Sequence, residues 1–230
     1  MDATRTYPEP APIGCERQAG TAGAAELVGV SSRLLGEVVQ RLDLAGDRFA
    51  RATRRRPRAH RAMYALSGLG DDGRVWIAAS LVEAWRSEDA RRSFAHSMVC
   101  LGVESALVNG PMKLLIRRPR PLGLDEHTHH LRLPSDSSFP SGHSASAATM
   151  AMVLGRDSPL APLWWALAVG ITVSRVHVGV HHATDVLGGF AVGIALGAAG
   201  RALRPGRSGA AGHAAGAPTR RGPLSAIIAG

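Results

Sequence analysis

Reading from the amino terminus, hydrophobic positions first acquire a period near Ala24. Leu27, Val30, Leu34, Leu35, Val38, Val39 and Leu42 recur at helical spacing, with Arg33, Glu37, Gln40 and Arg41 between them. This predicts an amphipathic helix over about 24–50, suited to the surface of a membrane or of a folded domain. A turn at Gly68–Gly73 follows, and then five apolar stretches at roughly 75–86, 94–112, 142–155, 160–174 and 184–200. None is a clean span. Each runs short of the ~20 apolar residues that a bilayer core asks for, and the second contains Glu104 and Asn109. All are rich in Ala, Gly and Ser, and Gly189, Gly193 and Gly197 form a ladder at steps of four that lets helix backbones approach closely. The fold expected is all-α, a bundle of about five core helices embedded in a membrane, although a tight soluble bundle uses the same ladder.

The flanks differ. Residues 1–23 are Pro-, Ala- and Gly-rich without the apolar stretch of a secretory signal, and 204–230 are basic and of low complexity; both are expected to be disordered tails. The segment 24–61 joins the amphipathic helix to an Arg-rich linker, leaving 62–203 as the helical domain.

Composition narrows the class. With 230 residues, 45% of them hydrophobic, and two cysteines, the chain is not collagen-like, disulfide-stapled or wholly disordered. Cys15 lies in the polar tail and Cys100 in an apolar run, where packing is its expected role. The formal net charge of +9 calls for an anionic partner: a phosphorylated substrate, an anionic lipid surface or a nucleic acid. Arg51–Arg61 concentrates six arginines without an acid, and reads as a lipid or nucleic-acid contact or as a solvated basic linker. Lys113 is the only lysine among 27 basic residues.

Three polar clusters sit at the ends of the apolar stretches: KLLIRRPRP (113–121), FPSGHSAS (139–146) and SRVHVGVHHATD (174–185). If successive stretches run antiparallel, all three fall at one end of the bundle. Lys113, Arg120, Arg175, His143, His181 and Asp185 then share one pocket, where cations and imidazoles repel one another unless an anion lies among them. Arginine offers a planar fork matched to phosphoryl oxygens, and a single lysine offers a compact point charge. Ser141, Gly142 and His143 would present backbone N–H groups at a helix start, with Gly142 omitting a side chain that would hold the anion off. His181 and Asp185 are four apart, so one helical turn lets the carboxylate accept from one ring nitrogen and leave the other nucleophilic.

Taken together, Lys113-x6-Arg120-Pro121, Pro140-Ser141-Gly142-His143 and Ser174-Arg175-x5-His181-x3-Asp185 resemble the three-part signature of the type 2 phosphatidic acid phosphatase superfamily. That superfamily includes lipid phosphate phosphatases, acid phosphatases and vanadium haloperoxidases. The resemblance covers about residues 94–200. It implies that His181 attacks phosphorus to give a phosphohistidine, that Asp185 orients it, and that His143 protonates the leaving oxygen. Lys113, Arg120, Arg175, Ser141 and the Gly142 amide would hold the remaining oxygens. No metal and no cofactor are implied, so chelator-resistant activity is expected. The substrate expected is a lipid phosphate or diphosphate, polyprenyl or phosphatidate-like. The alternatives are a soluble acid phosphatase of the same superfamily, and an Arg-rich protein binding anionic membrane or nucleic acid, although nucleic acid leaves the three motifs unexplained.

Several residues carry plainer readings. His127, His129 and His130 lack a further metal ligand at defined spacing and suit a loop at the pocket mouth. Glu104 suits a helix–helix hydrogen bond, Trp164 and Trp165 a membrane interface or a core, and Arg117 and Arg118 outer contacts or lipid headgroups. His177 and His182 are decoys for His181. Arg86, Arg91, Arg92, Arg156, Arg201 and Arg204 gather at the end opposite the pocket, which makes that end cytoplasmic and the pocket extracytoplasmic. The Arg51–Arg61 run opposes this if 75–86 crosses, so that stretch is expected not to span.

Overall fold

The computed structural model describes residues 16–121 and 137–203, with side chains from residue 31. Every regular element among them is helical: α1 Glu16–Arg54, α2 Pro57–Leu69, α3 Arg74–Trp85, α4 Ala90–Leu107, the single turn α5 Lys113–Leu115, α6 Gly142–Leu154, α7 Ala161–His177 and α8 Ala183–Leu203. The tails, the His127–His130 run, Cys15 and Arg204 lie outside the described residues.

Local chemistry sets the boundaries. Arg56 is extended because Pro57 follows it, and Pro57 then begins α2 where a missing N–H costs nothing. Asp89 caps α4 by accepting from the Arg92 N–H at 3.0 Å. Near its far end α4 loosens into a π-helical turn, Val108–Met112, because Pro111 has no N–H to give to the ladder. The chain then re-forms one helical turn at Lys113 before extending from Ile116.

The Arg-rich segment is mostly helical: Arg51 and Arg54 end α1, Arg55 and Arg56 make the short connection, and Arg58 and Arg61 lie on α2, with both helices packed on α7. His177 ties them there. Its ring Nδ1 meets the Thr53 hydroxyl at 2.7 Å, its Nε2 meets His60 Nδ1 at 3.2 Å, and its carbonyl accepts from Arg54 Nε at 2.9 Å.

The glycine ladder does the work expected of it. α6 and α8 form the most extensive pairing in the molecule. Cβ atoms on Gly189 and Gly193 would overlap the carbonyls of Ser141 and Ala145, and one on Gly197 would come within 2.7 Å of Met152. The apolar core lies between α3, α6 and α7, around Trp76, Met150, Trp164 and Ile171. Trp164 is therefore a core residue; its indole donates to Glu83 at 2.7 Å. Glu104 takes the helix–helix role, accepting from the Ser146 hydroxyl at 2.5 Å.

The stretch expected not to span, 75–86, forms α3 and is not among the segments long and apolar enough to cross a membrane. α3 is only 12 residues long, yet it starts beside His143 through Asp71 and ends where Glu83 meets Ser158 and Trp164. It runs from one end of the bundle to the other, as the 13-residue α6 does. Two helical segments, Ala90–Leu115 and Ala183–Leu203, are long and apolar enough to cross a membrane. Large apolar side chains on them face outward, among them Val99, Val103, Leu187 and Ile194.

Candidate active site

The three polar clusters converge at one end of the bundle, as the antiparallel argument requires. The Ser141 N–H donates to the Asp185 carbonyl at 3.0 Å, joining the start of α6 to the start of α8. Arg120 reaches the third cluster from the first: its Nη1 donates to the Val180 carbonyl at 2.8 Å and lies 3.4 Å from His181 Nε2. Arg175 is buried at the end of α7 and donates to the Ser67 hydroxyl. Lys113 and Ser141 are buried within the same region. All eight residues expected at the site, Lys113, Arg120, Ser141, Gly142, His143, Arg175, His181 and Asp185, lie in or beside this one end.

His181 is set differently from the expectation. It stands in the turn before α8 rather than on the helix, and its Nδ1 lies 2.8 Å from the Ser138 carbonyl. A carbonyl can only accept, so Nδ1 carries the hydrogen and Nε2 keeps its lone pair toward the pocket. Asp185 is 3.8 Å from the same nitrogen, so its influence on the ring is through charge. Burial pushes the His181 pKa down to about 4, with the Asp185 charge opposing and Arg175 and Arg120 reinforcing.

Asp185 itself is fully buried and engaged elsewhere. It accepts from the His182 N–H at 2.8 Å and from Arg118 at 2.5 Å, and Arg118 also pairs with Asp43 of α1. Burial alone would lower the Arg118 pKa, but these two carboxylates outweigh it and raise it. Arg118 is thus a buttress of the site and not a headgroup contact. A charge held this deep requires such partners.

A Cβ on Gly142 would come within 2.8 Å of Asn109 Oδ1, the end of a side chain carried on the π-turn of α4. His143, one residue on, is paired: its Nε2 lies 2.8 Å from Asp71 Oδ1, on the turn between α2 and α3. Asp71 is also 3.8 Å from Arg175, and its pKa is lowered, first by the His143 hydrogen bond, against the effect of burial.

Sequence reasoning missed Asp43, Ser67, Asp71 and Ser138. Three of these four precede the motif region, and their helices carry no signature. The one available signal was Asp71-Asp72-Gly73, an acidic turn in a basic chain. Among the described residues, no three His, Cys, Asp or Glu side chains gather in a way that could hold a metal ion.

The family model described as the PAP2 superfamily matches residues 94–208, half of the chain. The chain belongs to the PAP2 superfamily. It is a phosphatase of that superfamily. It is 31% identical over 145 residues to decaprenylphosphoryl-5-phosphoribose phosphatase of Mycobacterium tuberculosis, covering 58% of this chain and 73% of that one. It is 37% identical over 102 residues to phosphatidylglycerophosphatase B of Bacillus subtilis, covering 39% of this chain and 48% of that one. The crystal structure of a transmembrane PAP2 type phosphatidylglycerolphosphate phosphatase from Bacillus subtilis superposes with a TM-score of 0.58 at 27% identity, covering 72% of this chain and 85% of that one. Membrane localisation accords with these relatives and with the two apolar segments long enough to span.

Proposed function

We propose that this protein is a multi-pass membrane phosphatase that hydrolyses a lipid phosphate through a phosphohistidine on His181. The observation that carries this reading is the His181 ring, fixed by the Ser138 carbonyl at 2.8 Å so that Nε2 faces the cationic pocket. In the first half-reaction Nε2 bonds to phosphorus while the P–O bond to the leaving group breaks, and His143 gives its proton to the departing oxygen. In the second, water attacks phosphorus, the N–P bond breaks, and His143 takes the water proton, restoring both rings.

Lys113, Arg120 and Arg175 hold the phosphoryl oxygens, with Ser141 and the Gly142 amide at the start of α6. These fixed cations are aimed at charge that develops in the transition state, the effect that contributes most to such catalysis. The relatives named above act on polyprenyl and glycerol lipid phosphates, which supports a lipid substrate. The Arg91, Arg92 and Arg201 flanks of the candidate spans lie away from the pocket, whereas Lys113, Arg118 and Arg120 are committed to the site. By the positive-inside rule the pocket then faces the extracytoplasmic side.

The test is phosphate release by detergent-purified protein with EDTA present, on polyprenyl phosphate, polyprenyl diphosphate, phosphatidate and an aryl phosphate. Chelator-resistant turnover that falls at least about 10³-fold in His181→Ala is expected. Turnover equal to wild type in that variant sinks the mechanism. Turnover of the aryl phosphate alone would favour a soluble-type acid phosphatase.

A further inference from the structure

We propose that Asp71 selects the leaving group, favouring phosphomonoesters of a hydroxylated alcohol, glycerol-like or sugar-like, over prenyl diphosphates. The inference rests on the reading of His143 as proton donor to the leaving oxygen. It concerns a residue outside 94–208, the part of the chain that the family model matches.

The turn bearing Asp71 is built against the His143 ring. A Cβ on Gly70 would come within 2.9 Å of His143 Cδ2, so only glycine lets the turn approach this closely. Asp72 and Gly73 then take left-handed backbone, with φ of 55° and 67°, turning the chain at once into α3. Asp72 points away and pairs with Arg74 at 3.1 Å, whereas Asp71 points in, 2.8 Å from His143 Nε2. The Asp71 side chain remains 43% exposed, so it is accessible as well as paired. The hydrogen bond from His143 holds its pKa below the usual carboxylate range, which keeps it charged at neutral pH.

Asp71 touches the proton donor and also lies 3.8 Å from Arg175, and on that ground we place it beside the leaving group. An ionised carboxylate is acceptor-only. Hydroxyls of a glycerol or sugar leaving group donate to it, and the alkoxide they flank needs the proton that His143 delivers. A diphosphate places its second, anionic phosphate in the same space, where Asp71 repels it. That phosphate departs as a stable anion and gains little from the acid. Discrimination by a lost hydrogen bond and a like charge amounts to about tenfold or more.

The experiment compares kcat/KM for phosphatidylglycerophosphate and farnesyl diphosphate in wild type, Asp71→Asn and Asp71→Ala. Wild type is expected to prefer the glycerol monoester. Both variants are expected to lower the monoester-to-diphosphate ratio by about tenfold or more. Methylenediphosphonate binding, followed by calorimetry and needing no turnover, is expected to tighten about tenfold in Asp71→Asn. An unchanged ratio with unchanged diphosphonate affinity overturns the role of Asp71 and leaves the phosphatase intact. A wild-type preference for the diphosphate overturns it as well. Absence of phosphate release from every ester by wild type defeats the underlying functional reading instead.

Discussion

Thr184 gives both its backbone N–H and its hydroxyl to one oxygen of Asp43, at 2.9 and 2.8 Å. The first turn of α8 is thereby capped from another helix, since an N-terminal turn always leaves N–H groups without intrahelical partners. The other Asp43 oxygen pairs with Arg118, which in turn pairs with Asp185. α1, which bears no part of the family signature, thus holds the turn that carries His181.

Asp43→Ala removes the cap and leaves Arg118 and Asp185 with half of their network. A loss of about 2–4 kcal/mol in stability is expected, from a cap and one partner of a mostly buried ion pair. Asp43→Asn keeps the cap and loses the charge, so its loss should be smaller. Thermal unfolding in detergent measures both. An Asp43→Ala melting temperature equal to wild type would show that α1 does not secure α8.

The low pKa of His181 makes a prediction about pH. Free imidazole titrates near ~6.5, whereas burial brings this ring down to about 4, with Asp185 opposing and the arginines adding. Between those values the unfolded chain holds more protons than the folded one, so stability falls as pH drops from ~6.5 through about 4. In the proposed mechanism the neutral ring is the nucleophile, so kcat/KM should keep its nucleophile down to about pH 4. A kcat/KM profile on an aryl phosphate of known ionisation checks this. Loss of neutral His181 at the free-imidazole value would contradict the buried setting.

The helices and the convergence of the motifs were legible because both follow from local rules. Apolar runs bounded by Gly, Pro and charge placed α6, α7 and α8, and antiparallel alternation brought Lys113, His143 and His181 to one end. The partners of those residues were not legible. Asp43, Ser67 and Asp71 reach the site through tertiary packing of α1, α2 and the turn after α2, which no spacing encodes. The same limit explains Asp185: a spacing of four suggested a hydrogen bond to His181, but His181 stands in the turn before the helix begins, and the Ser138 carbonyl takes the ring nitrogen instead. Arg51–Arg61 looked like a linker because its arginines mask a period that His60 and Thr53 anchor from within.

The glycine ladder predicts a contrast between two substitutions. Gly193→Ala would place a Cβ against the Ala145 carbonyl and 2.8 Å from Ala148 Cβ, neither of which is a flexible side-chain end. A loss of about 1–3 kcal/mol or more is expected from overpacking. Gly36, within α1, has open space where a Cβ would stand, with nothing within 4 Å, so Gly36→Ala should gain about 0.5–1 kcal/mol from helix propensity. Unfolding midpoints of the two variants measure the difference, and a tolerated Gly193→Ala would mean that α6 and α8 are not in backbone contact.

Orientation is the last prediction, and it turns on two groups of arginines. Arg91, Arg92 and Arg201 flank the candidate spans away from the pocket, while the Arg51–Arg61 segment packs near His177 at the pocket end. The positive-inside rule counts most strongly the cations nearest the span ends. Those nearest the pocket are engaged within the protein: Arg118 pairs with Asp43 and Asp185, Arg120 donates to the Val180 carbonyl, and Lys113 is buried. The pocket is therefore expected on the extracytoplasmic side, with α1 lying along that surface and its exposed Leu34, Leu35 and Val38 toward lipid. Single cysteines at Glu88 and Leu203, in a Cys15→Ser, Cys100→Ser background, should be shielded from an impermeant maleimide in intact cells, and one at Arg58 should be labelled. Labelling of Glu88→Cys with protection of Arg58→Cys inverts the assignment, and labelling at both ends would mean that α3 lies outside the bilayer.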